Sequence, residues 1–97
     1  LGDQVVTGLR VKESGTVAEI STDAVFVYAG LVANSAFLKG VADLDEDGRI
    51  ITDINMKSSA RGLFAAGDVR AQSASQAVAA AGDGVTAAIA AHRYLGG

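Results

Sequence analysis

The residues best placed to do chemistry lie at positions 62–69, Gly-Leu-Phe-Ala-Ala-Gly-Asp-Val, followed after a short loop by Ser75, Gln76 and Ala77. The order reads as strand, then Gly-Asp, then helix. That arrangement places a nucleotide cofactor at the carboxyl end of a sheet strand. Residues 63–66 form a short apolar run, consistent with a buried strand. Gly67 has no Cβ, so a ligand can approach its backbone closely. Asp68 then offers two acceptor oxygens where the strand ends. A carboxylate there suits ribose-like or ribityl hydroxyls and repels phosphate. Taken alone, Gly67-Asp68 reads equally well as a capping or turn aspartate after a strand.

Other polar groups carry weaker signals. Asp43, Asp45, Asp47 and Gly48 imitate the front of a calcium-binding EF-hand loop, with carboxylates at its first, third and fifth positions and glycine at its sixth. The twelfth position is Ile54, where a bidentate glutamate is required, and Asp53 falls one residue early. An acidic turn between strands is the better reading, and no metal site is expected. His92, the single histidine, sits near the end of the last helical stretch, where a charged imidazole gains from the helix dipole. Ser58 and Ser59 have no nucleophile-elbow context. Tyr28 and Tyr94 read as packing residues.

Several elements must position these groups. Residues 4–12 are rich in β-branched side chains, residues 13–15 supply a turn, and residues 16–20 return, which predicts a β-hairpin. Residues 24–30 are a continuous apolar run ending in glycine, the pattern of a buried parallel strand. Asn34 can cap a helical turn over residues 34–38. Residues 49–52 should leave the acidic turn as a strand, and residues 53–61 should be a polar connection. Residues 75–95 should form one long helix, about 30 Å at ~1.5 Å per residue, capped by Ser73 or Ser75. On it Val78, Ala81, Val85, Ile89 and Leu95, with Ala88 beside them, trace one face, and Asp83, Thr86 and Arg93 point elsewhere. Gly82 and Gly84 each cost roughly 1 kcal/mol against alanine inside a helix. Two in one turn suggest close packing against a sheet, backbone or cofactor, the alternative being a helix that starts only after Gly84.

Composition bounds the function classes. At 97 residues the chain is one small domain at most, and 49% apolar residues give it a core that alanine keeps thin. A net charge of −3 argues against nucleic acid, which needs a basic footprint. No basic amphipathic helix points to a membrane surface, and no apolar run reaches the ~20 residues that span a bilayer. The first residues lack the basic and apolar regions of a signal peptide, so a cytoplasmic location is expected. The absence of cysteine excludes disulfides and thiolate metal sites within these residues.

Residues 62–69, with Thr52-Asp53 upstream and Gln76-Ala77 and Ala81-Gly82-Asp83-Gly84 downstream, resemble the C-terminal part of thioredoxin reductase-like flavoproteins. The resemblance implies an α/β fold, the C-terminal part of a Rossmann-like FAD-binding domain with short strands and a long C-terminal helix. A β-hairpin from the NAD(P)H-binding domain would precede it, with residues 1–22 ending that domain and residues 23–97 closing the FAD domain. It also implies that Gly67 and Asp68 meet the ribityl chain of FAD. Ser75, Gln76 and Ala77, at the start of the long helix, would face the pyrimidine end of the flavin. A helix N-terminus aimed there would stabilise negative charge on the reduced ring. The family often has an aromatic and a basic residue just before this Gln, where this sequence has Ala74 and Ser75.

The chain has neither the family's Cys-x-x-Cys pair nor its Gly-rich turns for FAD and NADPH, which lie upstream in the family. It is therefore read as a C-terminal fragment whose parent moves electrons from NAD(P)H through FAD to a disulfide or another acceptor. Its partner would be the missing N-terminal part of the flavoprotein, and no catalytic residue is assigned to it. The alternative is a non-catalytic stand-alone fragment that folds by oligomerisation, without cofactor, through Val25, Phe26, Val27 and Phe64. A dimer or larger species is expected.

Overall fold

A computed structural model describes all residues, 1–97. It divides into two compact units, Leu1–Gly30 and Leu31–Gly97.

In the first unit, strands β1 (Gly8–Glu13) and β2 (Thr16–Ser21) form an antiparallel hairpin. Ser14 and Gly15 connect them with φ of 48° and 87°. Positive φ at both central residues matches the right-handed twist of the flanking strands, and glycine reaches it without strain. The register places Arg10 opposite Glu19, where the guanidinium donates to the carboxylate at 2.7 Å. Both side chains are exposed, so this ion pair contributes little. The hairpin expected from composition is present, with its first strand beginning at Gly8.

The strand expected over residues 24–30 is absent. This segment has no regular structure and no strand pairing, and Phe26 and Tyr28 are 78% and 92% exposed. A parallel strand exists only when neighbours take its N–H and C=O groups, and β1 and β2 pair with each other. Apolar patterning reports what a segment is suited to, and the pairing has to come from elsewhere.

The second unit is a set of tight turns joined by single β-bridges and closed by one helix. Ser35 is the most buried side chain, and its hydroxyl donates to the Gly48 carbonyl. A single 3-10 turn follows at Ala36–Leu38, with Ser35 rather than Asn34 at its start and no side-chain cap. Bridges join Leu44 to Ile50, Thr52 to Ser58 and Lys57 to Phe64, all antiparallel, and Ile50 to Arg70 in parallel. The strands expected at residues 49–52 and 63–66 are therefore reduced to these contacts. Turns follow one another too closely for longer ladders.

Two of the turns share one design. Asp45 Oδ1 accepts from the N–H groups of Asp47 and Arg49 at 3.0 and 2.8 Å. Asp53 Oδ1 accepts from Asn55 and Lys57 at 2.8 and 2.9 Å. The fourth residue is left-handed in each, Gly48 and Met56. The aspartate side chain thus supplies the acceptors that an unpaired tight turn lacks. The supposed polar connection at residues 53–61 is built around the second of these turns.

Helix α1 spans Ala77–Tyr94 and runs through Gly82 and Gly84. Ala42, Ile50, Met56, Ala65 and Ala90 form the small core. At the far end of α1, Tyr94 meets Phe64 edge to face, with centroids 6.1 Å apart, and its hydroxyl accepts from Arg61 at 3.1 Å. The buried side of α1 is not the expected one. Asp83 and Ala90 are buried, with Ala79, Ala80, Thr86, Ala87 and Ala91 half-buried beside them. Val78, Ala81, Val85, Ala88, Ile89 and Leu95 face outward. Small side chains let the helix sit close to the turns, and a carboxylate anchors it there. Gly82 and Gly84 have open space around them, so their contact with sheet, backbone or cofactor is not made within this chain.

Candidate functional site

The expected site is built at the junction of the turn at residues 67–70 and the start of α1. Gly67–Val69 is a single 3-10 turn following Ala66, which is extended. Gly67 is buried with φ of 80°, and a Cβ placed on it would lie 3.3 Å from the Ala80 Cβ. Only glycine meets both demands, the left-handed backbone and the close approach to the helix. Within the chain, the neighbour that approaches Gly67 is therefore α1.

Asp83 holds this turn. Its Oδ2 accepts from the Gly67 N–H at 3.1 Å and from Arg70 Nε at 2.5 Å, and its Oδ1 accepts from Arg70 Nη2 at 2.9 Å. The Arg70 fork is thus bidentate, the strong form of carboxylate recognition. Its Nη1 donates to the Ala71 carbonyl at 3.0 Å, and the Ala71 N–H reaches Ile50 O at 2.8 Å. The guanidinium first, and the Gly67 N–H after it, hold the Asp83 carboxyl below the usual carboxylate range despite its burial. The same pairing raises Arg70. Sequence reading placed Asp83 away from the packed side. The available signal was a carboxylate between two glycines in an alanine-rich helix, where packing alone gives no reason for a charge.

Asp68 is exposed at the tip of the turn. Its carboxylate has one protein contact, the Ser73 hydroxyl at 3.5 Å, the outer limit of a hydrogen bond. Ser73 Oγ also accepts from the Ser75 N–H at 3.2 Å. Neither serine caps α1. Gln76 occupies the N-cap position with no side-chain hydrogen bond, and its carbonyl accepts from Ala80 N at 2.9 Å. Ser75, in left-handed conformation at φ of 53°, turns the chain into the helix. The structure thus links Asp68, Ser73 and Ser75 by hydrogen bonds, and sets Gln76 and Ala77 at a helix start that no side chain closes.

The acidic turn at residues 43–48 has a different use. The Asp45 carboxylate is committed to backbone N–H groups, and no three His, Cys, Asp or Glu side chains cluster to hold a metal ion. An open concavity of about 820 Å³ borders this turn and includes none of the residues 67–77. His92 is exposed in the last turn of α1. No helix is long and apolar enough to cross a membrane.

Residues 2–84 match the family described as pyridine nucleotide-disulphide oxidoreductase. The chain belongs to that family. The thioredoxin reductase of Peptoclostridium litorale is 40% identical over 102 residues, covering 97% of this chain and 32% of that protein. An alkyl hydroperoxide reductase component of Staphylococcus aureus (strain MSSA476) is 37% identical over 97 residues, covering 98% of this chain and 19% of that protein. Among solved structures, thioredoxin reductase from Streptococcus pyogenes MGAS5005 superposes with a TM-score of 0.71 at 33% identity, over 98% of this chain and 32% of its own. The crystal structure of T. acidophilum thioredoxin reductase gives a TM-score of 0.68 at 39% identity, over 96% of this chain and 32% of its own. The chain of this pyridine nucleotide-disulphide oxidoreductase family member therefore spans about a third of those reductases and about a fifth of the staphylococcal protein. Its fold is α/β, a hairpin and one long helix, and its structural neighbours have the Rossmann-like architecture that residues 62–84 led us to expect.

Proposed function

We propose that this chain is the segment of a thioredoxin reductase-like flavoprotein that contributes the second FAD-binding motif. The observation that carries the reading is the pairing of an uncommitted carboxylate, Asp68, with an uncapped helix start at Gln76 and Ala77. Acceptor oxygens and free backbone donors side by side in the chain suit a ligand that offers both hydroxyls and ring acceptors, as FAD does. Asp68 would take the ribityl hydroxyls. The N–H groups at Ala77 and just beyond would face the pyrimidine edge, with Ser75 and Gln76 shaping the entry and Gly67 carrying the turn. FAD, when bound, supplies the redox chemistry between NAD(P)H and a disulfide or other acceptor. This segment binds and orients it. The proposal assigns residues 1–22 to the NAD(P)H-binding domain, residues 23–97 to the FAD-binding domain, and a cytoplasmic location to the whole protein.

The test is an FAD titration followed by flavin fluorescence and visible absorbance. It is run on the purified chain, and on the chain replacing its matched region in the Peptoclostridium litorale thioredoxin reductase. Saturable binding in the chimera that weakens in Asp68→Ala supports the reading. Binding unchanged by Asp68→Ala and by substitutions at Gln76 removes it.

The exposed apolar side chains favour a second reading for the chain by itself, self-association as a dimer. Of the residues expected to drive it, Val25, Phe26 and Val27 lie open, whereas Phe64 is half-buried against Tyr94; Tyr28 in the same unit, and Val32, Val78 and Val85 in the other, are also open. Sizing by light scattering over a range of concentrations tests it, and a monomer throughout would exclude it.

A further inference from the structure

We propose that Arg70 and Asp83 are positioning residues for the cofactor turn, a clamp that fixes where Asp68 stands relative to the N-terminus of α1. The inference rests on the reading of this site as flavin-binding. Neither residue needs to touch the ligand.

The geometry is a two-point anchor. Asp83 lies in the second turn of α1, and every donor it receives comes from the other half of the site. Gly67 N–H reaches it at 3.1 Å, and Arg70 reaches it through Nε at 2.5 Å and Nη2 at 2.9 Å. These anchors, residues 67 and 70, flank Asp68 on both sides. Ala80, one turn before Asp83, fills the space beside Gly67 and stops the turn from sinking toward the helix. Ile50 holds the same segment through its backbone, accepting from Ala71 N at 2.8 Å and donating to Val69 O at 3.0 Å. The backbone of residues 67–71 is thus held by two anchors, Asp83 and Ile50.

Asp68 itself is not gripped. Its single protein contact is the 3.5 Å approach of Ser73. The position of its carboxylate is inherited from the backbone, and the backbone position is inherited from the clamp. A carboxylate that must accept particular ligand hydroxyls is sensitive to displacements well under an ångström. Asp83 also belongs to the helix whose first N–H groups form the other half of the site. One side chain therefore couples the acceptor half to the donor half.

A simple staple would behave differently. A staple stabilises the fold with or without ligand and leaves the FAD affinity of folded protein unchanged, because affinity and stability are linked only through the folded population. A clamp changes the affinity of the folded protein. Because it acts through Asp68, its effect disappears once Asp68 is gone.

The experiment measures FAD affinity of the full-length flavoprotein carrying this segment, by titrating apoprotein and following flavin fluorescence. The variants are Asp83→Asn, Arg70→Lys, Asp68→Ala and the double variant Asp68→Ala/Asp83→Asn, each first shown to be folded by circular dichroism. We expect Asp83→Asn to weaken FAD by roughly tenfold and to have no further effect in the Asp68→Ala background. Arg70→Lys keeps the charge and loses the fork, so it should fall between wild type and Asp83→Asn. It also serves as the decisive variant if Asp83→Asn does not fold. Unchanged affinity in Arg70→Lys and in folded Asp83→Asn, with Asp68→Ala weakened, overturns the clamp and leaves the flavin reading standing. Full additivity in the double variant also overturns it. Unchanged affinity in Asp68→Ala itself removes the flavin reading, and the clamp with it.

Discussion

The same substitution, glycine to alanine, should move the stability of this chain in opposite directions at three positions. Gly67 has φ of 80°. A left-handed residue with a Cβ costs about 1–2 kcal/mol. The new methyl group would also lie 3.3 Å from the Ala80 Cβ, so α1 must give by a few tenths of an ångström. The sum is about 2 kcal/mol of destabilisation, which in a domain of this size lowers Tm by roughly 8–16 °C. Gly82 and Gly84 are interior helical residues with open space where a Cβ would go. Alanine there gains up to about 1 kcal/mol each in helix propensity, raising Tm by roughly 4–8 °C. Thermal and urea unfolding of the purified chain, followed by far-UV circular dichroism, reads all three. A neutral Gly67→Ala would refute the packing of the turn on α1. A destabilising Gly82→Ala would show that another surface covers that face in solution. If that surface is a second copy, the loss will grow with protein concentration.

Other outcomes follow from the same contacts. Gly15→Ala puts a Cβ at φ of 87° in the hairpin turn and should cost about 1–2 kcal/mol, read as faster amide exchange in β1 and β2. Tyr94→Phe removes only the exposed bond from Arg61 and should cost at most ~1 kcal/mol. Tyr94→Leu also removes the edge-to-face contact with Phe64, so urea unfolding should show a further loss of about 0.5–1.5 kcal/mol. Asp83 sits below the usual carboxylate range because Arg70 and then Gly67 N–H favour its charged form. A depressed folded-state value means that its contribution is present above the unfolded value and lost as pH falls through the folded one. Asp83→Asn should therefore be less stable than wild type near neutral pH, with the gap closing in strong acid. A gap that stays constant in urea midpoints down to acid would contradict that pairing.

Much of the local structure was legible from residue types alone. Turn residues at 13–15 and β-branched flanks are enough to predict a hairpin, because turn and strand preferences act within a few residues. An alanine-rich stretch after Gly67-Asp68 is enough to predict one long helix, found at Ala77–Tyr94, although the cap expected from Ser73 or Ser75 is not made. The motif at residues 62–69 led to the family that the match over residues 2–84 establishes. Those are properties of short windows, and short windows are what a sequence states directly.

The tertiary structure decided which face of α1 is covered. Large apolar residues at Val78, Val85 and Ile89 suggested one seam, and the packed side runs instead through Asp83 and Ala90. Periodicity ranks faces by hydrophobicity, whereas packing here depends on closeness. Alanines allow Gly67 and Ala80 to meet, and the buried carboxylate finds Arg70 from a distant turn. The apolar run at residues 24–30 shows the same limit from the other side, since a strand needs partners that its own residues cannot supply. By itself, then, the sequence determined the hairpin, the acidic turn at residues 43–48 and the long helix, each a consequence of local backbone preference. Only the folded chain decided how the turn at residues 67–70 is held, because the Arg70–Asp83 pair joins segments whose proximity exists only after the turns have closed.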